Sequence, residues 1–230
     1  MINFHPSEEQ IRSFLTGDMS PTLALMIAAH IDMCPRCAEC ARDLNEEVAD
    51  DALEHAFSDI MTLNPAVNSE LAKMMSAITE LPQSPRLERS AHTMVELELD
   101  GKRFKLPRSL QRYANKTQQW KKLVGKLWQA QVELGGDVRA EFIYMENGGS
   151  VPEHTHKGNE WTLVVNGEFG DGHHHYESGD LILLDHAHTH APLTEDPDGC
   201  LVFSIVDQPL YFTSGIARLL NPFSQLFFKL

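Results

Sequence analysis

The sequence is short of cysteine, of basic residues and, over its first hundred positions, of glycine. Four cysteines in 230 residues are too few to staple a chain of this length, and three of them (Cys34, Cys37, Cys40) fall within seven positions, far from Cys200. In a reducing compartment such clustering signals metal binding or redox chemistry rather than a disulfide framework. Lysine and arginine number 19 against 33 acidic residues, a formal net charge of −14. That balance argues against direct binding to nucleic acid, because neutralising phosphates needs a basic face. No apolar run approaches the roughly 20 residues that span a bilayer. The opening MINFHPSEEQIRSFL places acidic residues where a secretory signal has a basic start and an apolar core. A soluble, cytoplasmic protein is expected. A nucleophile triad, a phosphate loop and a recognisable substrate-binding set are all missing.

The charge is also blocked. Residues 1–85 hold 14 acidic and 4 basic side chains, residues 86–126 hold 4 and 11, and residues 127–230 hold 15 and 4. An acidic N-terminal unit suits a basic protein partner, such as one that itself binds DNA.

No glycine separates Gly17 from Gly101, and the residues between read as helices. Ser7-x-x-Gln10, after Pro6, forms a capping box that starts a helix ending near Gly17. Ser20 caps a second helix with Pro21 at its first position, and Pro35 marks the turn into a third. The third stays helical and acidic from Ala38 to about Leu63, with a break expected near Asp50-Asp51. Pro65 interrupts it, and NSELAKMMSAITEL makes a last helix. LPQSPRLERS reads as a linker. Beyond it the apolar period falls from about 3.6 to about 2. MVELELDGKRFKL alternates around an Asp100-Gly101 turn, a hairpin signature. WQAQVELGGDVRAEFIYMENGG, WTLVVNGEF, YESGDLILL and CLVFSIV continue as strands punctuated by glycine. The expected fold is therefore α+β in two domains. An all-α helical unit covers residues 1–85, a linker and leading hairpin cover 86–105, and an antiparallel β-barrel or jelly roll covers 106–230. The apolar end, GIARLLNPFSQLFFKL, suggests a helix docking on the barrel or on a partner.

Two segments carry metal-ligand spacing. His30-x3-Cys34-x2-Cys37 places three borderline or soft donors on one side of a helical stretch. A fourth ligand is needed; His5 is the best candidate and Cys40 competes with it. With four protein ligands the site would be structural, since no position remains for water or substrate. Downstream, GGSVPEHTHKGNEWTLVVNG fits G-x5-H-x-H-x3-E-x6-G through His154, His156, Glu160 and Gly167. His-x-His on a strand puts both imidazoles on one face. From Gly179 the pattern G-x5-P-x-G-x2-H places a further histidine at His190, although Asp185 stands for the proline and Ala187 for the glycine. His186 and His188 are therefore rivals of His190. Three nitrogens and a carboxylate suit zinc, iron, manganese or nickel. His173, His174 and His175 fall in the turn between the two motifs, where solvent exposure is expected.

The downstream segment resembles the cupin superfamily over roughly residues 125–210. The N-terminal arrangement of His5, His30, Cys34 and Cys37 resembles the zinc-binding anti-sigma domain, with PTLALMIAAHIDMCPRC its most family-like stretch. Together they resemble the ChrR-type anti-sigma factors over nearly the whole chain. That resemblance implies a regulator rather than an enzyme: a helical domain that clamps an extracytoplasmic-function sigma factor and needs zinc to do so. It implies a cupin-like domain that senses singlet oxygen or organic hydroperoxides and triggers release. It also implies zinc on His5, His30, Cys34 and Cys37, and zinc or another divalent metal on His154, His156, Glu160 and His190. The competing reading is a cupin metal-dependent dioxygenase or isomerase with an accessory zinc domain, with Glu153 or Tyr144 as acid–base groups.

Overall fold

The computed structural model describes residues 1–61, 65–82, 95–135, 138–215, 218, 219 and 221, without the side chains of 55–61 and 65–68. The expected linker and the terminal GIARLLNPFSQLFFKL lie largely outside the described residues.

Helix α1 (Glu8–Thr16) begins in a reciprocal cap, Ser7 Oγ accepting from Gln10 N–H while the Gln10 amide oxygen accepts from Ser7 N–H, and ends on Gly17 at φ 78°. Helix α2 (Pro21–Met33) starts under Ser20 with Pro21 inside its first turn. That proline lacks an N–H which would be unpaired there anyway. Helix α3 (Pro35–Met61) runs through Asp50-Asp51 without the expected break. Both aspartates are exposed, so their charges face water and cost the helix little. Helix α4 (Pro65–Thr79) opens on Pro65, so this proline starts a helix and does not merely interrupt one. Among the described residues, no helix is long and apolar enough to cross a membrane.

The chain forms two compact units, Met1–Ala41 with Met94–Leu230, and Arg42–Thr93. The first unit holds α1, α2 and every sheet. Strands β1 (Glu96–Leu99) and β2 (Lys102–Lys105) form the expected hairpin, its turn made by Asp100 at φ 49° and Gly101 at φ 80°. A short helix α5 (Arg108–Gln111) follows. A six-stranded sheet is built from β3 (Lys121–Leu123), β4 (Leu127–Val132), β5 (Arg139–Met145), β7 (Glu160–Asn166), β10 (Leu181–Leu184) and β12 (Cys200–Val206). Its order is β10-β7-β12-β5-β4-β3, with every neighbouring pair antiparallel. Strands β6 (His154–His156), β11 (Thr189–His190) and β13 (Leu210–Phe212) make a three-stranded sheet in the order β11-β6-β13. A small hairpin joins β8 (Glu168–Gly170) to β9 (His175–Glu177).

The central strands β7 and β12 are covered on both faces, which explains why they read as nearly continuous apolar runs. One face of the six-stranded sheet sends Phe142, Tyr144, Trp161, Leu163, Leu201 and Phe203 into a core shared with Leu25, Met26, Ile27 and Ala29 of α2. The other face carries Met145, Val164, Ile182, Leu184 and Val202 into a second core with Phe169 and Tyr176. Burial of each large side chain contributes about 1.5–3 kcal/mol. The period of two thus sorts each strand's residues between two cores. Glu160, Thr162 and Ser204 fall on the second face, and there they meet the histidines of the small sheet.

Candidate metal centres

The first centre assembles where α2 ends. His30 sits in its last turn, Cys34 caps its C-terminus, and Cys37 follows in the first turn of α3. His5 arrives from the extended segment ahead of α1. The four donor atoms lie within 4.8 Å of one another, and His30, Cys34 and Cys37 are buried. His5 Nδ1 stands 3.5 Å from Cys34 Sγ and 3.4 Å from Cys37 Sγ, and His30 Nε2 lies 3.2 Å from Cys37 Sγ. Cys40, the rival of His5, is half-buried and is not one of the four.

The other ring nitrogen of His30 settles its tautomer. Nδ1 is 2.7 Å from the Gly179 carbonyl oxygen. A carbonyl only accepts, so Nδ1 carries the hydrogen and Nε2 turns a lone pair toward the cysteines. Burial pushes His30 down to about 4, outweighing the pull of the Gly179 carbonyl in the opposite direction. Burial, then the hydrogen bond with Cys34, pushes the Cys37 thiol up to about 12. A neutral imidazole is ready for a metal, whereas a buried thiol of this kind ionises only when a cation shares its space. Two sulfurs and two nitrogens within this reach suit a tetrahedral zinc ion with no open position.

The second centre follows from the alternation along β6. His154 and His156 share the inner face. Thr155, between them, points outward and its hydroxyl donates to the carbonyl of His188 at 2.7 Å. His190 on β11 lies opposite His154 in the ladder, and Glu160 opens β7. Their four donor atoms again lie within 4.8 Å of one another, all from buried or nearly buried side chains. His190 Nε2 is 2.9 Å from His154 Nε2 and 3.1 Å from His156 Nε2. His154 donates its Nδ1 hydrogen to the Pro152 carbonyl at 2.8 Å, so its Nε2 is a bare lone pair. Lone pairs that close together repel unless a proton or a cation sits among them.

Glu160 is held from behind. Its Oε1 accepts from the hydroxyls of Thr162 at 2.8 Å and Ser204 at 2.9 Å. Its Oε2 lies 2.8 Å from His156 Nε2 but makes no aligned hydrogen bond, and His156 Nδ1 and His190 Nδ1 are likewise buried without a partner. Burial raises the Glu160 pKa, yet the adjacent His156 together with the nearby His154 and His190 holds the carboxyl below its ordinary range. Burial, reinforced by His154, pushes His190 down to about 4, and burial also lowers His154. An ionised carboxylate facing the neutral imidazoles of His154 and His190 is the protonation pattern a divalent metal requires.

The rivals of His190 are placed elsewhere. His186 and His188 are exposed, and His188 Nδ1 is 2.8 Å from Asp185 Oδ1. The same Asp185 oxygen accepts the Ala187 N–H at 2.8 Å, so an aspartate turn does here what proline and glycine do in the motif. His173, His174 and His175 are exposed; the first two lie in the turn between β8 and β9, and His175 opens β9 instead. Tyr144 faces the α2 core and donates its hydroxyl to the Asp198 carbonyl at 2.7 Å, and exposed Glu153 accepts from Thr213. Neither belongs to the metal-ligating group. Sequence reading missed Thr162, Ser204 and the Gly179 carbonyl. Strand parity with Glu160 was a signal for Thr162, whereas nothing local marked the other two. A cleft of about 650 Å³ is lined by His5 of the first centre and His190 of the second, together with Phe4, Trp161, Tyr176 and Leu181.

Residues 114–208 match the model of the ChrR cupin-like domain family. The anti-sigma-E factor ChrR of Cereibacter sphaeroides is 27% identical over 228 residues, covering 98% of this chain and 99% of the relative. The crystal structure of Rhodobacter sphaeroides SigE in complex with the anti-sigma ChrR contains a chain with the same fold, at a TM-score of 0.62 and 24% identity, covering 90% of this chain and 100% of that one. Residues 114–208 are thus a ChrR cupin-like segment, and the whole chain, a helical region followed by that segment, is similar end to end to an anti-sigma factor and shares its fold.

Proposed function

We propose that this chain is an anti-sigma factor that sequesters an extracytoplasmic-function sigma factor through its helical region. Release follows when the cupin-like domain meets an oxidant such as singlet oxygen or an organic hydroperoxide. The observation that carries the reading is an uncovered apolar stripe on α4. Leu71, Met74, Met75 and Ile78 recur at helical spacing and are 40–66% exposed. A stripe of this kind on an acidic helical unit fits a partner that offers an apolar groove within a basic surface. Similarity to ChrR, crystallised with SigE, supplies the class of partner.

In this reading His5, His30, Cys34 and Cys37 hold a structural zinc that fixes the corner between α2 and α3. His154, His156, Glu160 and His190 hold zinc or another divalent metal, which when bound supplies a fixed positive charge at the heart of the sensor. The sheets are the walls of a cupin barrel, residues 1–85 and 106–230 are the clamp and sensor segments, and the protein works in the cytoplasm. Oxidation has defined targets in His and Met side chains and in the cysteine pair. The thiolates of Cys34 and Cys37 can pass two electrons to a hydroperoxide, which takes two protons from water and leaves as alcohol and water while a disulfide forms. The zinc then loses both sulfur ligands. The enzyme reading is weaker, because Tyr144 is committed to a carbonyl on the opposite face of the sheet.

Affinity capture of the tagged chain from its own lysate, with and without a zinc chelator, tests the proposal. Recovery of a small sigma factor that chelation removes is expected. Capture of none in either sample would overturn it.

A further inference from the structure

The cupin-like sheet builds part of the helical metal centre. One turn, Gly179-Asp180, which joins β9 to β10, holds His30 directly and the segment just ahead of His5. His30 Nδ1 donates to the Gly179 carbonyl at 2.7 Å, in full burial. Asp180, with no exposed surface, spends its carboxylate on the chain just ahead of His5. Its Oδ1 accepts the N–H groups of Asn3 at 2.7 Å and Phe4 at 2.9 Å, while its Oδ2 accepts Glu177 N–H at 2.8 Å. Leu181 N–H then donates to the Phe4 carbonyl at 3.1 Å, so the N-terminal segment lies along the outer edge of β10.

The same turn is tied to the second centre. Gly179 N–H donates to the Val164 carbonyl at 2.8 Å, and Val164 N–H donates to the Asp180 carbonyl at 3.0 Å. Val164 belongs to β7, the strand that Glu160 opens, and Leu184 of β10 lies opposite Glu160 in the ladder. The β7–β10 pairing thus connects the backbone of Glu160 to the turn.

Gly179 is suited to the place by its backbone. Its φ is +99°, and an added Cβ would stand 2.4 Å from Ile2 Cδ1. That methyl is the far end of a flexible side chain and can swing away. The left-handed φ cannot be relieved so easily, and an L side chain there would turn the carbonyl away from His30.

We propose that the Gly179-Asp180 turn is a positioning element for the helical zinc centre, and that it is the route by which the state of the cupin centre alters how firmly that zinc is held. The inference rests on the reading of His5, His30, Cys34 and Cys37 as metal ligands. Groups that orient a metal-bound histidine through its second nitrogen typically change metal affinity by about 10- to 100-fold when lost.

Cobalt in place of zinc separates the two centres in the full-length chain. Only the cysteine-bearing centre gives a thiolate-to-cobalt absorption band, because the other offers nitrogen and oxygen alone. Decay of that band after adding a chelator should be about 10-fold or more faster in Gly179→Ala and in Asp180→Asn. The second variant keeps the side chain's shape and so guards against a simple folding failure. Glu160→Gln should also speed decay in the otherwise natural chain, yet add nothing in an Asp180→Asn background. Natural decay rates in both turn variants would overturn the inference. So would a Glu160→Gln effect of equal size in both backgrounds. Failure of the natural chain to form the band would instead overturn the zinc reading beneath it.

Discussion

Replacing His30 with alanine removes three supports at once, and their sizes can be worked out separately. Structural zinc contributes about 10–16 kcal/mol in small zinc domains, so losing one of four ligands costs several of these. The Gly179 carbonyl loses its 2.7 Å donor, and a buried acceptor left without a partner costs about 1–3 kcal/mol. The imidazole itself has no exposed surface, and truncating a fully buried side chain to alanine typically costs about 2–5 kcal/mol. Even the two smaller contributions take a large share of the roughly 5–15 kcal/mol that holds a domain together. A destabilisation of at least about 4 kcal/mol is expected. The assay is urea unfolding followed by circular dichroism, with added zinc and with a chelator. Chelation should move the midpoint of the natural chain well beyond its effect on His30→Ala, in which only the second centre is left to strip. A loss below about 1 kcal/mol, the size of one ordinary hydrogen bond, would refute the reasoning. Equal chelator sensitivity in both proteins would do the same.

Three further outcomes are expected. In the metal-free chain, His30 and His190 are held neutral with pKa values near about 4, against about 6.5 when unfolded. The unfolded state then binds more protons between those values, so stability is complete above about pH 6.5 and falls as the pH drops toward 4, by up to about 1.4 kcal/mol per pH unit for each histidine. A flat melting temperature across that window would contradict the buried, neutral assignment. Glu160→Ala should leave sigma-factor capture intact while abolishing release by oxidant in a reconstituted complex; constitutive release would mean that the second metal holds the complex together. Ile78→Glu, on a residue 62% exposed, should weaken sigma binding at least 10-fold in titration calorimetry while moving the melting temperature by no more than a degree or two, and undiminished affinity would remove the α4 stripe from the interface.

The two clusters that could hold a metal were largely legible because each depends on short-range geometry. His154, His156 and Glu160 follow from the alternation of a strand, and His30 with Cys34 follows from the pitch of a helix. The capping box at Ser7 and the Asp100-Gly101 hairpin were readable for the same reason. His5 was a choice among few candidates rather than a deduction, since its partners lie 25 or more positions away. The groups that orient these ligands could not be read. Ser204 reaches Glu160 across paired strands, and the Gly179 carbonyl reaches His30 across 149 positions. A backbone carbonyl has no residue-type signature at all. The packing of α2 against the sheet was hidden for a related reason. Its residues are apolar nearly all round, which announces burial but not the surface that provides it. The expected break at Asp50-Asp51 is absent because exposed aspartates without glycine or proline leave a helix intact.

Strand β7 has one set of alternate residues in the core beneath α2 and the other set facing the second core and the His154–His156–His190 cluster. Most strands that face water on one side have a forgiving parity, where substitution is nearly free. In EWTLVVN neither parity is free until Asn166, the exposed last residue. A saturation scan of the strand should therefore show intolerance at consecutive positions, without the every-other-residue pattern of an amphipathic strand. The two halves of the protein have to change together along those seven residues. A cupin strand taken from another protein would disturb the helical neighbour even if it brought its metal ligands intact.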